Sequence, residues 1–333
     1  MQPGIKTIAP MGTDTASGAT GLPSASHLGK DFDIVVVGEL NADLILQGDV
    51  TPEFGQVEKI IDDATLTIGS SSAIFACGAA RLGLRVAFIG KIGNDEFGRF
   101  MQNQLEARGV NTSGIVVDEG VKTGLTVILS RGNDRAILTH LGSIAALRYE
   151  EIDQNLLFRA RHLHLGSYFL LYKLLPNIPA LFETAQARGL TTSLDTNYDP
   201  AETWDSGLAA VLRHTSIFLP NQTELCAIAG LNDIEAALDR LAQAGPTVAV
   251  KMGSQGAMAR HGNEVAQAAS PPVAVVDTTG AGDSFGAGFI YGYLAGWELP
   301  RSLRLACVCG ALSTRAAGGT AAQPTLAEAL KAM

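Results

Sequence analysis

Short apolar runs alternate with longer amphipathic stretches along most of the chain. The first run, IVVV at 34–37, is β-branched or aliphatic throughout and ends at Gly38, which predicts a strand buried on both faces. Further strands are predicted at 85–90, 162–166, 191–194, 216–219 and 247–250, and helices at about 95–108, 174–188, 281–295 and 301–316. This βαβα order predicts an α/β fold: a doubly wound, mostly parallel sheet with helices on both faces.

Two segments depart from this alternation. Residues from about 43 to 69 and from about 112 to 140 carry period-two β patterns and turn residues with little helical periodicity. Both are inserted into the same α/β core. We therefore predict that they pair into one small β-sheet, a lid that covers the site.

The first thirty residues differ in composition from the rest. Nineteen of them are Gly, Ala, Ser, Thr or Pro, and such a segment buries too little apolar area to offset its ordering entropy. We predict a flexible N-terminal extension over residues 1–30, with no function assigned, followed by a single domain over 31–333.

The overall charge of the chain disfavours polyanions as binding partners. The 333 residues include 24 Lys and Arg against 33 Asp and Glu, a net charge of −9. No basic excess is present to neutralise phosphates, so nucleic acid and anionic membrane surfaces are not expected partners. The four cysteines form no CxxC, and no apolar run approaches the roughly 20 residues that span a bilayer. We expect a cytoplasmic globular protein.

The strongest chemical signal is VVDTTGAGDSF at 275–285, interpreted as a strand, a glycine turn and a helix. Gly280 and Gly282 leave backbone N–H groups bare at a helix N-terminus, where they and the helix dipole favour an anion. Asp283 follows in the first turn, placed to accept a proton from an attacking hydroxyl while the N–H groups hold a phosphoryl group. From these residues alone, an Asp that merely caps the helix is an equal alternative.

Other nucleotide motifs are missing. Gly280, Gly282 and Gly286 give only a loosened GxGxxG, and the first strand leads into Gly38-Glu39-Leu40-Asn41, so a dinucleotide-binding dehydrogenase is disfavoured. Lys91 is followed by Ile, so no Walker A motif is present. The pattern therefore indicates a phosphate site without a P-loop.

Four ordered motifs together resemble the ribokinase-like (PfkB) carbohydrate kinase family, over nearly everything from residue 32 to 324. DTTGAGDSF at 277–285 is similar to the second family signature, GKIGNDEFG at 90–98 to its G-x-[IV]-G-x-D-x-[FY]-G element, NQTE at 221–224 to its NxxE motif, and KMGSQG at 251–256 to its nucleotide loop. The resemblance implies a ribokinase-like fold with a small β lid. It also implies an ATP- and Mg²⁺-dependent kinase acting on a hydroxyl, usually a primary one, of a sugar-like acceptor.

The resemblance also implies residue roles. Asp283 would be the catalytic base, with Gly280, Ala281 and Gly282 as the anion hole. The acceptor would contact Asn41, Asp43, Gly69, Ser70 and Tyr168; Asn197, Asn221, Glu224, Lys251, Gly253, Ser254 and Gly256 would border ATP; Asn221 and Glu224 would organise Mg²⁺ largely through water; and Asp277, Thr279, Thr314, Ala317 and Gly319 would hold K⁺. Glu224 also suits an ordinary first-turn helix acid, and Lys251 a solvated lysine at a strand end.

Departures from the family pattern concern the acceptor. Ile74 stands where many members have an Asn that hydrogen-bonds a sugar hydroxyl, and Asp199 where some have an Arg, which disfavours an acidic substrate at that point. Tyr168 and Phe169 follow a strand and suit an aromatic wall for a sugar or a nucleobase. A nucleoside kinase is therefore the alternative within the family, with a non-catalytic ligand-binding protein less favoured. A homodimer through the lid is a family expectation.

Overall fold

The computed structural model describes residues 29–132 and 134–333. The predicted extension therefore lies outside the described residues, except for its last two. Of these, Lys30 already contacts the domain, because its Nζ donates a hydrogen bond of 2.6 Å to the carbonyl oxygen of Phe158. Lys30 is thus attached to the domain one residue before its predicted start.

Two β-sheets organise the described part of the chain. The strands are β1 (Phe32–Val37), β2 (Asn41–Gln47), β3 (Asp63–Ile68), β4 (Val86–Gly93), β5 (Asn111–Asp118), β6 (Gly124–Arg131), β7 (Asp134–His140), β8 (Ala160–Leu165), β9 (Thr191–Leu194), β10 (Ile217–Phe218), β11 (Thr247–Lys251), β12 (Ala257–His261) and β13 (Glu264–Ala268). The large sheet has the order β13-β12-β11-β10-β9-β8-β1-β4-β5. Its neighbours pair in parallel from β11 to β5, whereas β12 and β13 are antiparallel.

Helices cover both faces of this sheet, as predicted. They are α1 (Ser71–Arg81), α2 (Glu96–Glu106), α3 (Gln154–Leu157), α4 (Ile178–Ala187), α5 (Leu208–Leu212), α6 (Gln222–Ala229), α7 (Ile234–Ala242), α8 (Ala281–Leu294), α9 (Leu299–Ser313) and α10 (Leu326–Ala332). Alternate side chains of β1 enter two separate cores. Ile34 and Val36 pack with α1, α2, α8 and α9, whereas Val35 and Val37 pack with α3 to α7. A strand buried on both faces accounts for the unbroken apolar run at 34–37.

The lid forms as predicted, with one correction to its bounds. It is a four-stranded sheet of order β3-β2-β6-β7, in which strands from the two inserted segments meet where β2 and β6 pair in parallel. The strand at the start of the second segment, β5, belongs instead to the large sheet, where it pairs with β4. An edge strand with one solvated face has the same period-two pattern as a lid strand, so the sequence alone did not separate them.

A second correction concerns the segment before α8. Val275 and Val276 were predicted to lie in a strand, but residues 269–280 adopt no strand. The two valine side chains are exposed, at 60% and 64%. Their β-branched side chains favour extended backbone, yet no neighbouring strand pairs with them; instead, the N–H of Val276 donates to the carbonyl oxygen of Thr314.

None of the helices in the described part of the chain combines the length and the apolar character needed to cross a membrane.

Candidate active site

The N-terminus of α8 is an uncapped helix start formed around Gly280. This residue has φ of 72°, in the left-handed region that favours glycine, and it provides no side-chain cap. A Cβ at this position would lie 2.7 Å from the Cα of Gly319 and 2.8 Å from Cγ2 of Ile74. Close packing therefore requires glycine, and the first-turn N–H groups of α8 are left for an anion.

Asp283 lies in the first turn of the same helix and faces the start of α1. The hydroxyl of Ser71 donates a short hydrogen bond to its Oδ1. Burial, together with the nearby carboxylate of Asp195, raises the pKa of Asp283 from 3.8 to about 7, although Ser71 and Lys251 act in the opposite direction. A carboxyl group with a pKa near neutrality is suited to general-base catalysis.

Lys251 ends β11 and supplies the cation of a cluster of carboxyl groups. Its Nζ donates a hydrogen bond of 2.6 Å to Oδ2 of Asp195, which follows β9, and its side chain is only 14% exposed. Burial alone would lower the pKa of Lys251, but Asp195 and Glu224 raise it. The solvated lysine considered above is therefore excluded, since this ammonium group is held inside the site.

A cavity of about 550 Å³ opens beside Lys251 and the first turn of α8. Its far wall is apolar and includes Val273, Phe285 and Cys307. The predicted nucleotide-loop residues and part of the predicted anion hole share this lining, which includes Lys251, Gly253, Ser254, Gly256, Ala281, Gly282 and Thr314. The structure therefore brings together two motifs that are about 30 positions apart in the sequence.

Asn221 and Glu224 begin α6 as a reciprocal capping box. Oδ1 of Asn221 accepts from the N–H of Glu224 at 2.9 Å, and the N–H of Asn221 donates to Oε2 of Glu224 at 2.8 Å. Burial raises the pKa of Glu224 to about 7. The helix-capping alternative is thus realised in the structure.

The capping geometry does not remove these two side chains from metal chemistry. No group of three His, Cys, Asp or Glu side chains in the described ranges is arranged to bind a metal ion directly. Hard oxygen donors from Asn221 and Glu224, with Asp195 nearby, fit Mg²⁺ because this ion usually keeps several of its waters and is completed by substrate phosphates.

The predicted acceptor residues converge at the start of the lid. Nδ2 of Asn41 donates to Oδ1 of Asp43 at 2.9 Å and to Oγ1 of Thr126 at 3.3 Å. A Cβ on Gly69 would lie only 2.1 Å from Oδ1 of Asp43, so this glycine packs directly against the pair. Burial raises the pKa of Asp43 to about 7. A compact polar group therefore lines the lid side of the site.

Ser70 and Asn197 contribute to the framework around the site. Ser70 caps α1 by accepting from the N–H of Ala73 at 2.9 Å, and its hydroxyl donates to the carbonyl oxygen of Glu39 at 2.7 Å. Asn197 donates from Nδ2 to Oγ of Ser167 at 2.8 Å, and Ser167 donates to Oε1 of Glu39 at 2.9 Å. The hydroxyl of Ser70 is thus already engaged in holding the backbone, although sequence reasoning had assigned it to the acceptor.

The two loops predicted to hold K⁺ lie side by side. Oδ1 of Asp277 accepts from the N–H and the hydroxyl of Thr279, at 2.9 and 2.8 Å, and Oδ2 accepts from the N–H of Gly318 at 2.9 Å. The carbonyl oxygen of Thr314 accepts from the N–H groups of Val276 and Asp277. Gly319 packs against Gly280, whereas Ala317 is exposed. These bonds tie the cation loops to the anion hole.

Two acceptor-side interpretations need correction. Tyr168 is fully buried in the second core, and its hydroxyl donates to the carbonyl oxygen of Ser206 at 2.8 Å, so it presents no surface to an acceptor. Phe169 is buried beside it. Asp199 is also buried, and its carboxylate accepts from the N–H groups of Ala201, Thr203 and Trp204. Its charge therefore stabilises its own loop, and the objection to an acidic substrate no longer holds.

Sequence reasoning missed four residues in or beside the site. Ser71 contacts Asp283, Asp195 pairs with Lys251, and Glu39 accepts hydrogen bonds from Ser72 and Ser167. Arg135 on β7 donates to Oγ1 of Thr279 at 3.2 Å. Glu39 and Asp195 each follow a buried strand, and an acidic residue at that point is the sequence signal that could have identified them.

Comparison with known proteins decides the family. The pfkB family carbohydrate kinase profile matches residues 31–326. The chain belongs to the pfkB family of carbohydrate kinases. This membership makes the protein a sugar kinase, and it accounts for the shared arrangement of large sheet, helices and lid.

Several pfkB kinases and related structures are similar to this chain. It is 34% identical over 233 residues to an uncharacterized sugar kinase of Archaeoglobus fulgidus, covering 68% of this chain and 90% of that protein. It is 28% identical over 326 residues to 5-dehydro-2-deoxygluconokinase of Geobacillus kaustophilus, covering 90% and 92%. A crystal structure of a candidate ribokinase II from E. coli, in complex with ATP and Mg²⁺, superposes with a TM-score of 0.81 at 26% identity, covering 90% and 98%.

Proposed function

We propose that this sugar kinase transfers the γ-phosphoryl group of ATP to a hydroxyl of a sugar-like acceptor, with Asp283 as the base. The observation that carries the proposal is the position of Asp283. It lies on an uncapped helix start between a cavity of about 550 Å³ and the acceptor side of the lid. Gly69 packs against Asp43, and Ser71, two positions further on, donates a hydrogen bond to Asp283. The predicted acceptor residues therefore lie close to the base.

The geometry supports a direct transfer. Asp283 accepts the proton of the acceptor hydroxyl, whose oxygen forms a bond to the γ-phosphorus while the bond to the bridging oxygen breaks and ADP leaves. The N–H groups at Gly280 to Gly282 stabilise the charge on the transferring phosphoryl group. Ser71 orients the carboxylate of Asp283. Asn221 and Glu224 would hold Mg²⁺ through its waters, and the ion would supply positive charge that neutralises the nucleotide phosphates.

Two observations favour a sugar acid as the acceptor, and a third argues against a nucleoside. Several relatives are named 5-dehydro-2-deoxygluconokinase, and their named acceptor carries a carboxylate. Arg135 lies on the same lid face as Asp43 and acts electrostatically on both Asp43 and Asp277, so a cation faces the acceptor side. The aromatic pair that had favoured a nucleoside is buried.

An acceptor panel tests this function. Purified protein with Mg²⁺ and ATP is supplied with 5-dehydro-2-deoxygluconate, neutral hexoses, ribose or nucleosides, and ADP release is followed against a reaction without acceptor. We expect the sugar acid to have the highest kcat/KM. Ribose should be a poor acceptor, because Ile74 cannot make the hydrogen bond to a sugar hydroxyl that an Asn at this position would make. Losing one such hydrogen bond costs about 1 kcal/mol. A nucleoside or ribose as the best acceptor would overturn the assignment.

A monovalent cation site at the paired loops is the second part of the proposal. Carboxylate and carbonyl oxygens of Asp277 and Thr314 lie beside the anion hole, with Thr279, Ala317 and Gly319 in the same loops. Oxygen donors of this type suit K⁺. A bound K⁺ would stabilise the shape of the loop that holds Gly280.

A homodimer through the lid is the third part. The outer face of the lid carries Leu44, Leu66, Val127 and Leu138 in one row across the four strands, and Leu66 and Leu138 are 39% and 61% exposed. Burial of such an apolar row stabilises an interface. Leu138→Lys should yield monomers by light scattering, whereas Ile137→Lys, on the opposite face of the same strand, should stay dimeric. A wild-type monomer would refute the dimer.

A further inference from the structure

The ammonium group of Lys251 bonds Asp195 and also lies beside the first turn of α8, where a phosphate would bind. A Cβ built on Gly282 would lie 3.4 Å from Nζ and 3.5 Å from Cδ, so the lysine side chain runs along the first turn of α8. Gly282 has no side chain, and nothing at that position separates the ammonium group from the helix N-terminus. Lys251 and Gly282 also line the same cavity. An anion held by the N–H groups of α8 would therefore lie within reach of Nζ.

The charges around Lys251 favour an exchange of partners. Asp195, Glu224 and Asp283 all act on this one ammonium group. Asp195 is its direct partner, with Oδ2 2.6 Å from Nζ. A lysine side chain is a flexible four-carbon stem with three donors, so Nζ can donate to a phosphate oxygen while it keeps or releases Asp195. The highly charged phosphates of ATP attract such a cation strongly when water is excluded.

We propose that Lys251 is a catalytic residue that binds the non-bridging oxygens of the transferring phosphoryl group, with Asp195 as the partner that holds it ready. The inference rests on the proposed function and adds a role that the nucleotide-loop motif does not assign. Lys251 stays protonated throughout. The acceptor oxygen gains the bond to phosphorus, ADP leaves with the electron pair of the broken bond, and the acceptor proton goes to Asp283.

Lys91 provides a matched control. It is also buried, at 1% exposure of its side chain, and its Nζ donates to Oδ2 of Asp118 at 2.9 Å and to Oε1 of Glu151 at 2.5 Å. It lies on β4 and does not line the nucleotide cavity. Two buried, ion-paired lysines of one sheet thus differ in whether they face the helix start of α8.

The first test compares nucleotide binding. Calorimetric Kd values for ATP and ADP, both with Mg²⁺, are measured for wild type, Lys251→Met and Lys91→Met. We expect Lys251→Met to reduce the preference for ATP over ADP by about ten- to a hundredfold, the range of one charge-assisted hydrogen bond. Lys91→Met should keep the wild-type preference. An unchanged preference in Lys251→Met would overturn the role of Lys251, whereas a wild type that binds neither nucleotide would overturn the proposed function itself.

The second test separates catalysis from folding. Lys251→Met leaves Asp195 buried without its cation, which is destabilising, so the same change is also made in an Asp195→Asn background. With the best acceptor of the panel, we expect kcat to be about 10²–10³-fold lower in Asp195→Asn/Lys251→Met than in Asp195→Asn. A purely structural ion pair predicts the opposite, because the double variant no longer buries an ammonium group that has lost Asp195. Equal kcat in these two variants would overturn the proposal.

Discussion

At the amino end of the large sheet a buried carboxylate is matched by arginines, whereas at the carboxyl end the buried carboxyl groups outnumber their cation. At the amino end, Asp33 accepts from Nε and Nη2 of Arg85 at 3.1 and 3.0 Å, and Arg161 lies 3.4 Å away. Burial would raise the pKa of Asp33, but the hydrogen bonds and charge of Arg85 lower it. At the carboxyl end, burial raises the pKa of Asp283 and of Glu224 to about 7.

The difference favours the carboxyl end as the ligand site. Carboxylates matched by arginines stabilise the fold and need nothing further. Buried carboxyl groups that outnumber the cation beside them destabilise the fold. Groups whose pKa values are perturbed in this way cluster at functional sites. Lys251 is the cation among Asp195, Glu224 and Asp283. Charge balance, rather than residue type, distinguishes the site from an ordinary buried ion pair.

Substitution of Asp283, the acid at the carboxyl end, should have the largest effect. Asp283→Asn keeps the size of the side chain but cannot accept the acceptor proton, so kcat should fall by about 10²–10⁴-fold. ATP affinity should change little, because the N–H groups of α8 remain. Steady-state turnover measures the effect, with Asp33→Asn as the control that should stay within about threefold of wild type. If Asp283 were only a cap, Asn would serve nearly as well, and a variant keeping more than about a tenth of wild-type kcat would exclude the base.

The pH dependence of activity should follow the carboxyl end. Asp283 must be ionised to act as a base, and its pKa is about 7. We therefore expect kcat/KM to decline below neutrality, by about a hundredfold between pH 8 and pH 5. Ser71, Lys251, Asp195 and Glu39 are the groups that act on Asp283, so their side chains should be kept intact in this measurement. A flat profile over this range would contradict the assignment.

Stability should depend on pH with opposite signs at the two ends. The folded pKa of Asp283 lies above its ordinary 3.8, so its stabilising contribution is present at low pH and is lost as pH rises through about 7. The folded pKa of Asp33 lies below 3.8, so its contribution is present above that value and is lost as pH falls. Urea unfolding across pH should show Asp283→Asn gaining on wild type as pH rises. If the stabilities of Asp283→Asn and Asp33→Asn, relative to wild type, changed in the same direction as pH rises, the contrast between the two ends would be refuted.

Removing the amino-end acid should affect folding rather than turnover. Asp33→Asn leaves Arg85 and Arg161 without their carboxylate, and losing hydrogen bonds to charged groups costs about 1–3 kcal/mol. The free energy of unfolding in urea should fall by that amount at pH 7, while kcat changes by less than about threefold. A large fall in kcat with unchanged stability would show that the amino end takes part in catalysis.

The smallest expected effect concerns Asp277, an acid at the carboxyl end that is nevertheless balanced. Burial would raise its pKa, but hydrogen bonds from the N–H groups of Thr279 and Gly318 lower it. An ionised carboxylate suits K⁺, so replacing tetramethylammonium by K⁺ at constant ionic strength should raise kcat by a few-fold. Equal kcat values in the two salts would refute the assignment of K⁺ to this pair of loops.

Motifs contained in one stretch of sequence could be predicted well. The helix that carries the predicted anion hole and base begins at Ala281 as expected, and the roles assigned to residues 280–283 stay a prediction. The large sheet and the lid followed from apolar runs and period-two patterns. β5 was misassigned because an edge strand and a lid strand share one pattern, and the strand at Val275 was predicted from propensity without a pairing partner.

Contacts between distant stretches could not be predicted. Ser71 and Asp283 are 212 positions apart, and Asp195 and Lys251 are 56 apart. Which way a side chain points after a strand depends on the packing of its neighbours, and for this reason Tyr168 was expected at the site but lies in the core. An apolar or polar pattern specifies a face of an element, not the partner that this face meets.

In the proposed function, sugar recognition and phosphate handling use largely different segments of this chain, apart from Ser71, which bonds Asp283. The lid residues on the side of Asp43, including Thr126 and Arg135, lie between positions 41 and 140, whereas Asp195, Lys251 and the loop of Gly280 lie beyond position 194. If the proposed function holds, substitutions in β6 should alter which sugar is accepted more than they alter phosphoryl transfer, whereas Arg135 on β7 bonds Thr279 and contacts both sides. On this basis, acceptor preference can be varied by substitutions in one lid strand while Asp283 and its loop are left as they are.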